Sequence, residues 1–178
     1  MSLPIPTKRA QIYETDATDA AQARTDKKNV LQVQFNPETL SISYSIPGPK
    51  DRLPRIKQVP SGSGALDFKP GATLSVNLLF DQTMMSPLEL EQMLLGGGPK
   101  SVIDAVGQLE YFTGRHRATT ADYPTRPTIC FAWGQLLFVG QLSELGVNYT
   151  FFSLEGTPLR AEVKLSIQAS AWMQEVSG

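Results

Sequence analysis

The side chains of this chain that could do chemistry begin with its one histidine, His116, and its one cysteine, Cys130. A Ser-His-Asp or Cys-His centre needs an imidazole held by a carboxylate in a sheltered cleft. His116 instead stands between Arg115 and Arg117, and that triplet reads as a solvated basic turn. Cys130 sits in an apolar run, the setting of a buried structural thiol rather than a reactive one. One His and one Cys cannot supply a zinc site of the usual N/S type. None of the 17 acidic residues falls at a spacing that singles out a catalytic carboxylate pair. Residues 96–101, Gly-Gly-Gly-Pro-Lys-Ser, approach a phosphate loop, but Pro99 stands where glycine must precede Lys-Ser and removes an N–H donor. Trp133 and Trp172 could stack on sugars, yet tryptophans in or beside strands more often anchor cores or interfaces. The residues therefore assign no catalytic centre, no cofactor site and no metal site, and an enzyme is not expected.

The elements that would position these residues are mostly strands. The chain has 178 residues, enough to bury roughly 70% of the unfolded surface around one core. Its formal net charge of −1 argues against nucleic acid as the main partner, which would require a concentrated basic face. The first residues lack the apolar stretch of a secretory signal. The longest apolar zone, 129–139, is broken by Gln135 and is too short to cross a bilayer, so no direct membrane insertion is expected. Assembly in the cytoplasm is the default expectation.

Residues 1–29 are polar, without sustained periodicity, and are predicted to be a flexible N-terminal arm; residues 30–178 are predicted to form a single β domain. Alternation places strands at 31–35, 39–46, 73–80 and 159–168. In the last of these, Leu159, Ala161, Val163, Leu165 and Ile167 face one side, and Arg160, Glu162, Lys164, Ser166 and Gln168 the other. Residues 65–68 are predicted to pair with 73–80 across a type II turn with Gly71 at positive φ. Gly134-Gln135 marks a tight reversal. Two helices start on capping serines, Ser86 and Ser101, and Gly96 and Gly114 stand near their ends. Residues 47–60 hold four prolines, including Pro47, together with Arg52, Arg55 and Lys57, and are predicted to be a long loop lying on a neighbour.

Several of these segments together resemble one family. Phe35-Asn36-Pro37 lies within a run similar to the opening "F-x-F-N-P-E-x-L" of the tube-protein domain of contractile injection systems. The run ending Phe80-Asp81 resembles its "L-x-L-x-L-x-F-D" strand, and Trp133-Gly134 its "F-x-W-G". Gly156-Thr157-Pro158-Leu159-Arg160 resembles its "D-G-T-P-L-R-A", with Glu155 in place of the aspartate. In particular the chain resembles the baseplate hub adaptors of phage-tail-like particles, in a form lacking a LysM module up to Gly178. The resemblance implies a mainly β (α+β) fold: an antiparallel β-sandwich or rolled barrel with one or two short flanking helices. It implies a structural role as a homo-oligomeric ring, a hexamer, adapting a trimeric spike/hub protein to the inner tube protein. The expected contacts are Pro47, Arg52, Arg55, Lys57, Arg115, His116, Arg117 and Arg160, with the margins of the strands at 31–35 and 159–167. Two alternatives stay open: the inner tube subunit itself, and a soluble β-barrel that binds a small ligand.

Overall fold

A computed structural model describes residues 8–17, 20–45, 71–85, 99, 101–115 and 126–174. The expected loop at 47–60, the strand at 65–68, the helix starting on Ser86, His116 and Arg117 all lie outside the described residues.

Among the described residues, seven strands form one antiparallel sheet. They are β1 (Gln11–Glu14), β2 (Lys28–Gln32), β3 (Leu40–Tyr44), β4 (Ala72–Asp81), β5 (Ile129–Trp133), β6 (Leu136–Phe152) and β7 (Pro158–Gln174). Their order across the sheet is β2-β1-β5-β6-β7-β4-β3. The helices are α1 (Ala20–Thr25) and α2 (Val102–Tyr111). This is the mainly β class with short flanking helices that the resemblance implied.

α2 forms where its capping pattern says it should. The Ser101 hydroxyl accepts a hydrogen bond from the Asp104 backbone N–H at 3.1 Å, removing one of the donors a helix start leaves orphaned. Gly114, at φ 78°, sits just past its end, a conformation that favours glycine. Val102, Ala105, Val106 and Leu109 are buried along one stripe. That stripe belongs to the main core together with Leu74, Val76, Leu165, Ile167, Phe131 and Phe138.

The sheet has to curl around α2. The helix touches β2 at one margin and also β4, β6 and β7. In a flat sheet β2 and β4, five spacings apart, would lie about 24 Å from each other. A ten-residue helix is only about 15 Å long. Contact with both strands therefore requires a rolled sheet with α2 in its hollow.

The segment expected to be an arm contributes β1, α1 and the start of β2. β1 is inserted between β2 and β5, so residue 29 is not a structural boundary. The reason is burial on both faces: Ile12 enters the main core and Tyr13 a second cluster beneath α1, with Ala23, Cys130, Leu137 and Val139. A four-residue strand of this kind carries no alternation to read. β2 ends at Gln32 rather than 35, although Leu31 and Val33 are both buried as the period requires.

Gly71 has φ 91°, as its turn position demanded. A Cβ there would lie 2.9 Å from Ser45, because the glycine carbonyl accepts the Ser45 N–H and draws β3 close to β4. The β5–β6 reversal at Gly134-Gln135 has Gly134 at φ 61°, the signature of a two-residue type II′ hairpin.

Candidate assembly surface

β6 and β7 are the longest strands, each of 17 residues, and pair with each other along their length. On its other side β6 meets β5 only from Leu136 to Gly140. From Gln141 to Phe152, among the described residues, β6 pairs with β7 alone. One carbonyl near its start is covered by a side chain: Arg126 Nη1 donates to the Leu142 oxygen at 3.1 Å. Beyond it lies a run of strand margin along which no further strand pairs among the described residues. β3 forms the far margin of the sheet.

The two faces of this long hairpin differ. One enters the main core through Leu142, Leu145, Val147, Ala161, Val163, Leu165 and Ile167. The other is polar. Lys164 donates to Glu144 at 3.0 Å, Ser166 Oγ to Glu144 at 3.3 Å, and Ser75 and Ser166 hydroxyls meet at 3.2 Å. The hydrogen bond from Lys164, followed by its charge, holds the Glu144 carboxyl below the usual range. Asn77, Asn148 and Glu162 are exposed beside them. The sheet thus has one greasy and one wet face.

Arg160 anchors the end of the hairpin. It stands directly opposite Asp81 in the β4–β7 register, and its Nε donates to Asp81 Oδ2 at 2.6 Å. The guanidinium also lies 5.9 Å from the centre of the Phe151 ring. Asp81 is fully buried, and its Oδ1 accepts from the Thr83 backbone N–H at 2.8 Å and hydroxyl at 2.6 Å. Burial alone would push this carboxyl up. The hydrogen bonds from Thr83 and the hydrogen bond and charge of Arg160 outweigh it and hold the group low. The guanidinium, expected to reach a neighbouring subunit, is thus engaged within the chain.

Past Arg160 the motif residues build the tip. Ser153 N–H donates to the Thr157 carbonyl, Gly156 N–H donates to the Ser153 carbonyl, and Gly156 takes φ 83°. Phe151 and Phe152 are about half exposed and Leu154 fully so. Apolar side chains at a turn are a candidate contact.

The other motif residues have structural tasks. Asn36 clamps backbone: its Oδ1 accepts from Ala10 N–H at 2.9 Å and its Nδ2 donates to the Lys8 carbonyl at 3.0 Å. Phe80 is in the core, Pro37 is buried, and Trp133 packs against the core's edge. Arg115 is exposed just beyond α2. Pro47, Arg52, Arg55, Lys57, His116 and Arg117 lie outside the described residues. Cys130 is buried as expected, and burial pushes its thiol up to about 11. The strand at 159–167 is not a margin of the sheet, because β6 and β4 flank β7 on both sides. Periodicity reports which face a strand buries, not which neighbours it has. The open stretch of β6 carried no signal in the sequence for the same reason.

Among the described residues no group of three or more His, Cys, Asp or Glu could hold a metal ion, and no helix is long and apolar enough to cross a membrane. A family model described as contractile injection system tube protein matches residues 7–176. No curated protein matches the chain.

Proposed function

This chain belongs to the contractile injection system tube protein family, and we propose from that premise that it forms a ring adapting the spike hub of such a particle to its inner tube. The ring is a hexamer of this one chain, assembled in the cytoplasm, with a trimeric spike/hub protein on one face and the inner tube protein on the other. It is a structural part and does no catalysis.

The observation that carries this reading is the margin of β6 beyond Gly140, left by β5 while β7 continues beside it. A neighbour's strand added along that margin, with β3 of each copy as the complementary edge, satisfies its backbone and continues the sheet from copy to copy. A head-to-tail contact of this kind closes into a ring when the rotation permits. The wet face of β4, β6 and β7 then lines the lumen, and α2 stays in the apolar hollow. The loop holding Pro47, Arg52, Arg55 and Lys57 and the basic turn at Arg115, His116 and Arg117 remain proposed contacts with neighbours.

Electron microscopy of the purified particle tests the assignment. The expected result is an annulus of this chain at the spike–tube junction; its absence there would refute the adaptor role. The family description itself favours a second reading, the stacked tube subunit. Copy number separates the two, since a tube subunit outnumbers the spike many-fold and an adaptor does not.

A further inference from the structure

We propose that a concavity beside the β5–β6 turn is a docking site for an acidic peptide segment of a partner protein. The concavity has a volume of about 510 Å³, and among the described residues its lining carries four cations, Lys8, Arg9, Arg24 and Lys27, with no aspartate or glutamate. A chain of net charge −1 has no overall excess of base to spread, so this rim is a local concentration of positive charge. Lys27 Nζ donates to Gln11 Oε1 at 3.0 Å and lies 5.0 Å over the Tyr13 ring. Arg24 Nη2 donates to the Gln135 carbonyl at 3.4 Å. The floor is apolar, with Tyr13 and Leu137 buried beneath the rim. The positive field reaches through that floor: Lys27 and Arg24 both draw the Cys130 thiol down against the larger upward push of burial.

The partner follows from this chemistry. A cationic rim over an apolar floor fits carboxylates interleaved with aliphatic side chains. A nucleic acid strand needs a longer basic track and exposed rings for stacking, whereas Tyr13 is buried with its hydroxyl donating to the Ala23 carbonyl at 2.8 Å. A free phosphate is best held by converging backbone N–H groups, and the site presents side-chain cations instead. Position adds a constraint. The concavity lies at the Leu136 end of β6 and the tip at its Phe152 end, about 50 Å apart along an extended strand. It is therefore remote from the tip, and it is lined on the β5 side of β6, by Ala132 and Gly134, where β6 is already paired.

The test is fluorescence anisotropy with a labelled octapeptide of alternating glutamate and leucine, at low ionic strength, on the full chain. Binding that weakens about tenfold in Lys8→Glu/Lys27→Glu, and falls steeply with added salt, is the expected result. Both residues are exposed; should the double variant melt early, Lys8→Glu alone replaces it, with a smaller loss in the same direction. An affinity unchanged by charge reversal overturns the proposal. Tighter binding of an oligothymidine of equal charge overturns it in favour of nucleic acid. If Lys27→Glu instead abolishes stacking of this chain on itself in sedimentation, the occupant is a second copy and the partner assignment fails.

Discussion

Gln34 grips the backbone of Asp81 with both ends of its side-chain amide. Its Nε2 donates to the Asp81 carbonyl and its Oε1 accepts from the Asp81 N–H, each at 2.7 Å. The amide thereby imitates one rung of a strand ladder, joining the chain after β2 to the end of β4. Those segments belong to opposite sides of the sheet order, so a single side chain links them across the roll that surrounds α2. It also fixes Asp81 where Arg160 and Thr83 must find it.

Replacing Gln34 by alanine leaves both backbone groups of Asp81 without this partner. The expected loss is about 2–3 kcal/mol of unfolding free energy, from two hydrogen bonds and the desolvation of a part-buried N–H and C=O. Urea unfolding of the isolated subunit reads it. Gln34→Glu keeps the acceptor but points an oxygen at the Asp81 carbonyl, and is expected to be no better than alanine. A loss below about 0.5 kcal/mol, the range of ordinary surface changes, would show that the clamp is incidental.

Asp81 gives the fold an acid-sensitive joint. Its carboxyl titrates lower in the folded chain than an unfolded aspartate does. Its contribution is therefore complete above the unfolded value of about 4 and is lost as pH falls through the lower folded value. Urea midpoints of the wild type should decline on acidification below about pH 4, and those of Asp81→Asn should decline less steeply. At neutral pH Asp81→Asn should be less stable by about 1–2 kcal/mol, a modest figure because Arg160 is partly solvent-screened. Parallel pH profiles for the two proteins would remove Asp81 from the account.

Gly140 and Gly146 share β6 but predict opposite outcomes. A Cβ at Gly140 would sit 2.1 Å from the Gln168 carbonyl oxygen, which is backbone and cannot step aside. The β6–β7 register shifts at Val139/Gly140, which brings the two chains this close. Gly140→Ala should therefore cost about 3 kcal/mol or more. At Gly146 the nearest atom would be 3.7 Å away, an ordinary contact, and Gly146→Ala should fall within about 0.5 kcal/mol of wild type. Equal effects at the two sites would contradict the close approach. Thermal melting distinguishes them.

Strand addition along β6 can be blocked without touching the core. Asn148 and Thr150 are exposed on the stretch that pairs with β7 alone. Lysines at both positions put charge where a neighbour's strand would lie. The double variant Asn148→Lys/Thr150→Lys should keep its melting temperature and lose ring formation on a sizing column. Rings that persist in the variant would move the subunit contact elsewhere.

Cys130 should be chemically silent in the folded chain. With its thiol pushed up to about 11 by burial, only about one molecule in a thousand carries a thiolate at pH 8. An aromatic disulfide reagent should leave the native protein unmodified and label it stoichiometrically in urea. Rapid native labelling would mean that the cluster under α1 opens readily.

What the residues alone determined here was local and face by face. The strand at 159–168 showed which side chains enter the core because its alternation is long. Ser101 marked a helix start because capping acts over three residues, and Gly71 and Gly134 marked turns because φ is positive there. Which strands lie side by side was decided only in the folded chain, since pairing depends on contacts between distant segments that periodicity does not record. Hence β7 is interior and not a margin, β1 lies inside the sheet although four residues show no period, and Asn36 clamps the backbone of Lys8 and Ala10. The basic concavity belongs with them: Lys8, Arg9, Arg24 and Lys27 form no run in the sequence, and only the pairing of β1 with β2 and β5 gathers them on one rim.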